Sequence, residues 1–159
     1  MDRIIEYIIS ALTTGVKPSR SIAQIYHGDP FIIPENSLPC IIVDGVSEEI
    51  RTLTSEEDQR IFTVEIRVIY DARRKANKSA TTFSAKKEVE KIIGEANTDM
   101  SPKDTTILDV IRDVVDDNHT YVVKADVTGV NYQVTVARNY PTIEGTVTVV
   151  LTSIKYLRG

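Results

Sequence analysis

The chain is poor in the residues from which most metal sites and disulfides are built. Its 159 residues include two His, one Cys and no Trp. A zinc site needs three or four Cys, His or carboxylate ligands, and Cys40, His27 and His119 are too scattered to supply a Cys/His set. One Cys cannot form a disulfide within the chain. A reducing cytosol is therefore the default compartment, and an extracellular particle remains open.

The known catalytic motifs are missing as well. The sequence has no G-x-S-x-G elbow, no Walker A loop, no G-x-G-x-x-G fingerprint and no H-E-x-x-H helix. His119 follows Asp116 and Asp117 at a predicted helix end, where a solvated cation is the ordinary interpretation. Asp44 and Asp71 stand at predicted strand ends, and nothing pairs them with a second catalytic group. We therefore expect a protein that is not an enzyme and that holds no metal or cofactor.

Extremes of charge and hydropathy are also absent. The net charge is −4, from 19 Lys and Arg against 23 Asp and Glu, which is unlike the basic balance of a dedicated nucleic-acid binder. No run of about 18 apolar residues is present, so we expect no membrane-spanning helix. The apolar share of 42% and the charged share of 26% are typical of globular proteins. The length suits a single domain, residues 1–159.

Apolar residues at helical spacing predict two or three helices. In the first, Asp2 is placed to cap the helix and Gly15 to end it. The third has a strong start signal, with Ser101 as the cap and Pro102 at the first helical position. Each segment carries one apolar stripe that can lie on a core. The predicted spans are 2–14, 76–96 and 102–116.

Period-two alternation predicts a sheet with a long hairpin. Residues 40–52 and 59–71 form its arms, and the second arm alternates between apolar and polar residues, as half-buried antiparallel strands do. Prolines at 30, 34 and 39 exclude a helix or a central strand just before it. The final strand is apolar on both faces in its middle, which suits cover from both sides or from a neighbouring subunit. Further strands are predicted at 22–27, 120–127, 130–138 and 145–157. The class is α+β, with a mostly antiparallel sheet.

Two charged segments flank the second arm of this hairpin. The acidic hairpin set is either a solvated tip that keeps the hairpin soluble or a contact for a partner. The basic corner is either a solvated strand-to-helix corner or a patch that faces phosphate or an acidic neighbouring subunit. The acidic hairpin set is Glu48, Glu49, Glu56, Glu57 and Asp58, and the basic corner is Arg73, Arg74, Lys75 and Lys78.

The order of these elements resembles a known family. An amphipathic helix leads through a proline-rich loop into a strand that begins after Pro39, and a hairpin, a helix and a long Thr/Val strand follow. The segments that carry the likeness are 38–43, 62–71, 88–93, 140–141 and 154–156. Over nearly the whole chain this arrangement resembles the tail terminator proteins of long-tailed bacteriophages, which are also called tail completion or tail-to-head joining proteins.

The resemblance implies a structural role in the virion, at the head-proximal end of the tail. Such proteins form a hexameric ring on the last ring of tail-tube protein, end tube polymerisation and offer a docking surface to the head connector. DNA passes through the lumen without specific binding. The alternatives are another connector or stopper protein of the phage neck, and a small enzyme or regulator unrelated to phages.

A closed ring places specific demands on the subunit surface. Its contacts are head-to-tail, so each subunit needs two different patches. The acidic hairpin set and the basic corner are candidates for that pair. Strand addition between subunits would also explain a final strand with two apolar faces.

Overall fold

Five strands and three helices make up most of the part of the chain that the structure describes. The computed structural model describes residues 1–73, 82–116, 122–135 and 141–156. The helices and the sheet share one apolar core, so the predicted α+β class is confirmed. In chain order the elements are α1 (Asp2–Gly15), β1 (Gln24–His27), a 3₁₀ turn (Glu35–Ser37), β2 (Cys40–Thr52), β3 (Glu57–Asp71), α2 (Thr82–Gly94), α3 (Ile107–Asp116), β4 (Lys124–Thr135) and β5 (Thr142–Tyr156).

The strands form a single mixed sheet in the order β1-β2-β3-β5-β4. Only β1 and β2 run parallel, and the other three pairings are antiparallel. The predicted β2–β3 hairpin is confirmed, with one difference at its tip. β3 begins at Glu57, so Glu57 and Asp58 lie in the strand, and the connecting turn is shorter than the predicted segment 53–58.

One face of the sheet, the helix face, carries the main core. Ile66 lies at its centre, opposite Val43 of β2 and Val147 of β5, and all three side chains are fully buried. Helix α2 lies directly on β5 at Gly145, where an added Cβ would stand 2.5 Å from Cδ1 of Ile93. Burial of these apolar side chains is the main stabilising contribution.

Within the described residues, the opposite face, the open face, is covered mainly beside β1. There the proline-rich loop folds back over the sheet, and Nη2 of Arg67 binds Oδ2 of Asp29 at 3.1 Å. Cys40 is fully buried in this second cluster, as a small hydrophobe at a strand start is expected to be. The cluster consists of Ile33, Leu38, Cys40, Ile42 and Ile69.

α1 begins at Asp2 as predicted and ends one residue later than predicted, but Asp2 does not cap it. Met1 is the N-cap residue, no side chain caps the helix, and Asp2 lies in the first turn. Gly15 is the last helical residue and Val16 is the C-cap. Gly15 is required by packing, because a Cβ there would stand 2.6 Å from Cγ2 of Val110 on α3.

The predicted start of α3 is wrong by several residues. The helix begins at Ile107, and the hydroxyl of Thr106 accepts a hydrogen bond from the Asp109 N–H at 3.3 Å, so Thr106 is the cap. Pro102 lies instead in an isolated bridge with Ala96. The predicted helix 76–96 is observed as Thr82–Gly94, and residues 76–81 lie outside the described residues.

The strands predicted at 120–127 and 130–138 are one strand, β4. Its pairing with β5 continues past Thr128 through a bulge between Val127 and Gly129. β5 itself is central in the sheet, but on its open face only Thr142 is buried among the residues whose side chains the structure describes. On its open face Thr148 and Val150 remain partly exposed, so cover from a neighbouring subunit remains a prediction. No helix of the described ranges is long and apolar enough to cross a membrane.

Candidate assembly surfaces

The β2–β3 hairpin extends beyond the layer of helices. From Val46 onward every residue of β2 is exposed, and the turn is closed by the N–H of Leu53, which donates to the carbonyl of Glu57 at 3.0 Å. Val46, Ile50 and Leu53 are large apolar side chains that this hairpin exposes. Three such side chains on one projecting element make the hairpin a candidate contact surface.

Two members of the acidic hairpin set are neutralised within the hairpin region. Glu48 accepts a hydrogen bond from Nη1 of Arg60 at 2.9 Å and lies 3.8 Å from the N-terminal ammonium of Met1. Glu49 accepts a hydrogen bond from Nε of Arg51 at 2.7 Å. This hydrogen bond, with the charge of Glu49, raises the pKa of Arg51.

The remaining acidic residues concentrate negative charge near the tip. Glu56 lies in the exposed turn, where its N–H donates to Oγ1 of Thr54 at 3.2 Å. Glu57 and Asp58 open β3 and form no ion pair with any side chain that the structure describes. Glu57 and Asp58 are therefore the members of the acidic hairpin set whose charge no described side chain neutralises.

The basic corner stands at the other end of β3. Nη2 of Arg73 binds Oδ2 of Asp71 at 3.0 Å and also contacts Glu35. The hydrogen bond to Asp71 is the main cause that raises the pKa of Arg73. Arg73 is therefore neutralised within its own chain, while Arg74, Lys75 and Lys78 lie outside the described residues. Asp58 and Asp71 are about 45 Å apart along an extended strand, so the two charged segments do not meet within a subunit.

The sheet has two edges that no described segment covers. β4 pairs on one side only, over its whole length of 12 residues. On the opposite edge, β1 pairs only with Cys40–Val43, so β2 is unpaired on its outer side from Asp44 onward. Open edges expose rows of backbone N–H and C=O groups that can pair with another chain.

A groove runs beside β4, between α3 and the turn at Met100. It encloses about 580 Å³. Val123 and Met100 are exposed at its margin, and Arg112 on its rim forms no ion pair with a described residue. The apolar lining consists of Met100, Pro102, Leu108, Ile111, Val123, Ala125 and Val127.

A polar clamp holds the turn that presents Met100. Oε2 of Glu95 binds Nη1 of Arg20 at 3.0 Å, and its Oε1 binds Nζ of Lys103 at 2.8 Å. The hydrogen bond from Lys103, followed by that from Arg20, lowers the pKa of Glu95. Nε of Arg20 also donates to Oγ1 of Thr105 at 3.2 Å, a residue held at φ 69°, which is unfavourable for a β-branched residue.

A further exposed patch lies on the proline-rich loop. Phe31 and Ile32 project into solvent between Pro30 and Pro34. The loop is fixed on both sides, by the ion pair of Asp29 with Arg67 and by burial of Ile33. The fixed loop therefore holds both apolar side chains in solvent-exposed positions.

The described residues present two open sheet edges, a projecting hairpin and a groove as candidate contact surfaces. The described residues contain no group of three or more His, Cys, Asp or Glu that could hold a metal ion. The groove and the clamp were missed by sequence reasoning, since the exposed Met100 and Val123 have no distinctive local pattern. The sequence matches no family model and no curated protein sequence.

Proposed function

We propose that this protein is a ring-forming structural component of a phage particle, which caps the tail tube and ends its polymerisation. The observation that supports this most directly is the pair of open sheet edges on opposite sides of one subunit. Two different open edges suit a head-to-tail contact, and head-to-tail contacts that close produce a ring. The order of elements resembles that of tail terminators, and this resemblance is the reason for placing the ring at the end of the tail tube.

A cap needs two unlike faces along the ring axis. One must bind the last ring of tail-tube protein, and the other must not accept another tube ring. The acidic tip near Glu56 and the corner at Arg73 stand at opposite ends of β3, so a ring with its strands along the axis presents them on opposite faces. In this proposal one face binds tail-tube protein and the other binds the head connector or stopper.

The lumen must allow DNA to pass without holding it. The net charge of −4 is compatible with this requirement, because tight non-specific binding of DNA depends on neutralising phosphates with Lys and Arg. No catalytic step or cofactor enters the proposal.

A tube-growth assay tests this function. Purified tail-tube protein is allowed to polymerise with and without this protein, and tube lengths and end structures are measured by electron microscopy. We expect shorter tubes with an added ring at one end. Tubes of unchanged length and bare ends, together with capture of portal or adaptor protein in a pull-down, would favour the alternative role as another neck connector or stopper.

Reversal of charge at the tip should weaken capping. The variant Glu56→Lys/Glu57→Lys replaces two carboxylates that face the proposed partner by cations, and like-charge contacts at an interface are costly. We expect at least about tenfold weaker binding to tube ends, which corresponds to about 1.4 kcal/mol.

The matched control reverses two exposed carboxylates on the helices, in the variant Glu6→Lys/Glu90→Lys. Binding to tube ends, measured by co-sedimentation with tubes, should be unchanged in this control. Equal binding by the tip variant and the wild type would exclude the tip from the tube contact.

A further inference from the structure

We infer that the outer edge of β4 pairs with the unpaired part of β2 in a second copy of this chain, so that Ile50 of that copy enters the groove beside β4. This inference rests on the ring of the proposed function and specifies the contact that closes it. Each step below depends on the register of the sheet and on side chains that are exposed in one subunit.

The register of the sheet determines which residues meet. In a ring whose axis is parallel to the strands, a given residue has the same height along the ring axis in every copy. Lys124 pairs with Thr152, Thr152 with Ile61, and Ile61 with Glu49. Glu49 of the neighbouring copy therefore stands at the height of Lys124. Because β2-β3, β3-β5 and β5-β4 are all antiparallel, the new pair of β4 with β2 is antiparallel as well.

The chemistry of the paired positions matches on both faces. On the open face Lys124 meets Glu49, and both side chains are more than half exposed in the single subunit, where they pair with Asp126 and Arg51 of their own chain. On the helix face the next pair is Val123 and Ile50, which are 51% and 54% exposed. The N–H of Val123 donates to the carbonyl of Thr152 at 2.8 Å, the residue that also lies opposite Lys124, so Val123 contributes its side chain and not its N–H to the new pair. Opposite charges and apolar pairs are the combinations that stabilise neighbouring strands.

Bulges limit how far this pairing can run. One row of paired residues crosses the sheet from Gly45 through Val64 and Val149 to Val127. Both edge strands carry a bulge directly at that row, since pairing shifts between Gly45 and Ser47 on β2 and past Val127 on β4. A bulge bends an edge strand and interrupts its row of hydrogen bonds. The contact is therefore confined to the segments between this row and the hairpin tip. These are about residues 122–127, at the start of β4, and 45–51 of β2 in the neighbouring copy.

The groove supplies the remainder of the contact. Ile50 lies on the helix face of the hairpin, which is the side on which the groove opens between α3 and β4. Asp58 is on the same face and Arg112 lies on the rim of the groove, and neither forms an ion pair within the described part of its own chain. The apolar Ile50 side chain of one copy enters the apolar groove of the next, and the Asp58 carboxylate approaches the Arg112 guanidinium.

Disulfide cross-linking tests this contact in the intact chain. In the double variant Ile50→Cys/Val123→Cys the two residues of one subunit are separated by three strand spacings, about 14 Å, which is too far for a disulfide. Oxidation should therefore link only neighbouring copies and give a ladder of covalent oligomers up to the hexamer. Each single variant should stay at least tenfold less cross-linked, since the natural Cys40 is fully buried.

The matched control is Ile32→Cys/Val123→Cys, because Ile32 is even more exposed but lies outside the proposed contact. A preparation with the mass of a ring but no ladder, or an equal ladder from the control, would overturn this contact and leave the ring intact. A protein that forms no assembly, alone or with tail tubes, would overturn both the contact and the proposed function.

Discussion

Removal of the outer half of the β2–β3 hairpin, which carries the tip, is expected to abolish assembly while the domain stays folded. The variant replaces residues 49–61 by Asn-Gly, a sequence that favours a two-residue hairpin turn, directly above the pair Glu48–Phe62. The buried side chains that the strands place on the helix face lie in the row of Phe62 and Leu151 or on the side of it away from the tip, so the core of the sheet is retained. We expect sedimentation to show a single-chain mass, with tube capping lost.

Circular dichroism and thermal unfolding establish whether this shortened chain is folded. A second variant, Ile50→Asp, changes a single exposed side chain and should keep the unfolding temperature of the wild type. We expect its self-association to fall by at least about tenfold, because a carboxylate would be buried against the apolar groove. A ring of normal mass from either variant would exclude the hairpin from the subunit contact.

Truncation at the centre of β3 should produce the largest loss of stability. The substitution Ile66→Ala removes a fully buried side chain from between Val43 and Val147, and the surrounding strands cannot close the cavity. Such changes cost about 2–5 kcal/mol of unfolding free energy. Urea denaturation followed by circular dichroism gives this value.

The residue before Ile66 serves as the control, because its side chain lies on the opposite face of the sheet. Glu65 is on the open face, so Glu65→Ala should change the free energy of unfolding by no more than about 0.5 kcal/mol. Similar losses from the two substitutions would mean that the open face is packed as tightly as the helix face.

The hairpin was predictable because its signal is local. The alternation from Phe62 to Tyr70 continues for many residues and determines which face is buried, and the stripe of α1 is similarly continuous. The errors occurred where distant segments decide the structure. Ser101 and Pro102 match a helix start, but Pro102 pairs with Ala96, and the helix begins only after its cap, Thr106. Thr128 and Gly129 match a turn, yet the long partner β5 keeps the strand continuous through a bulge.

The candidate surfaces were predictable only in part, for the same reason. The acidic tip was visible as a run of carboxylates, but the ion pairs that neutralise Glu48 and Arg73 depend on folding. The groove depends on the clamp between Arg20 and Glu95, which are 75 residues apart. No local pattern joins residues so far apart in the chain.

The most direct test of the central claim is the mass and shape of the protein at the ends of tail tubes. Sedimentation gives the mass of the protein alone, and negative-stain electron microscopy shows it mixed with growing tubes. We predict a hexameric ring, either free in solution or assembled at one end of each tube, with no further growth beyond it. A single-chain mass under all conditions, together with bare tubes that keep growing, would contradict the proposed function.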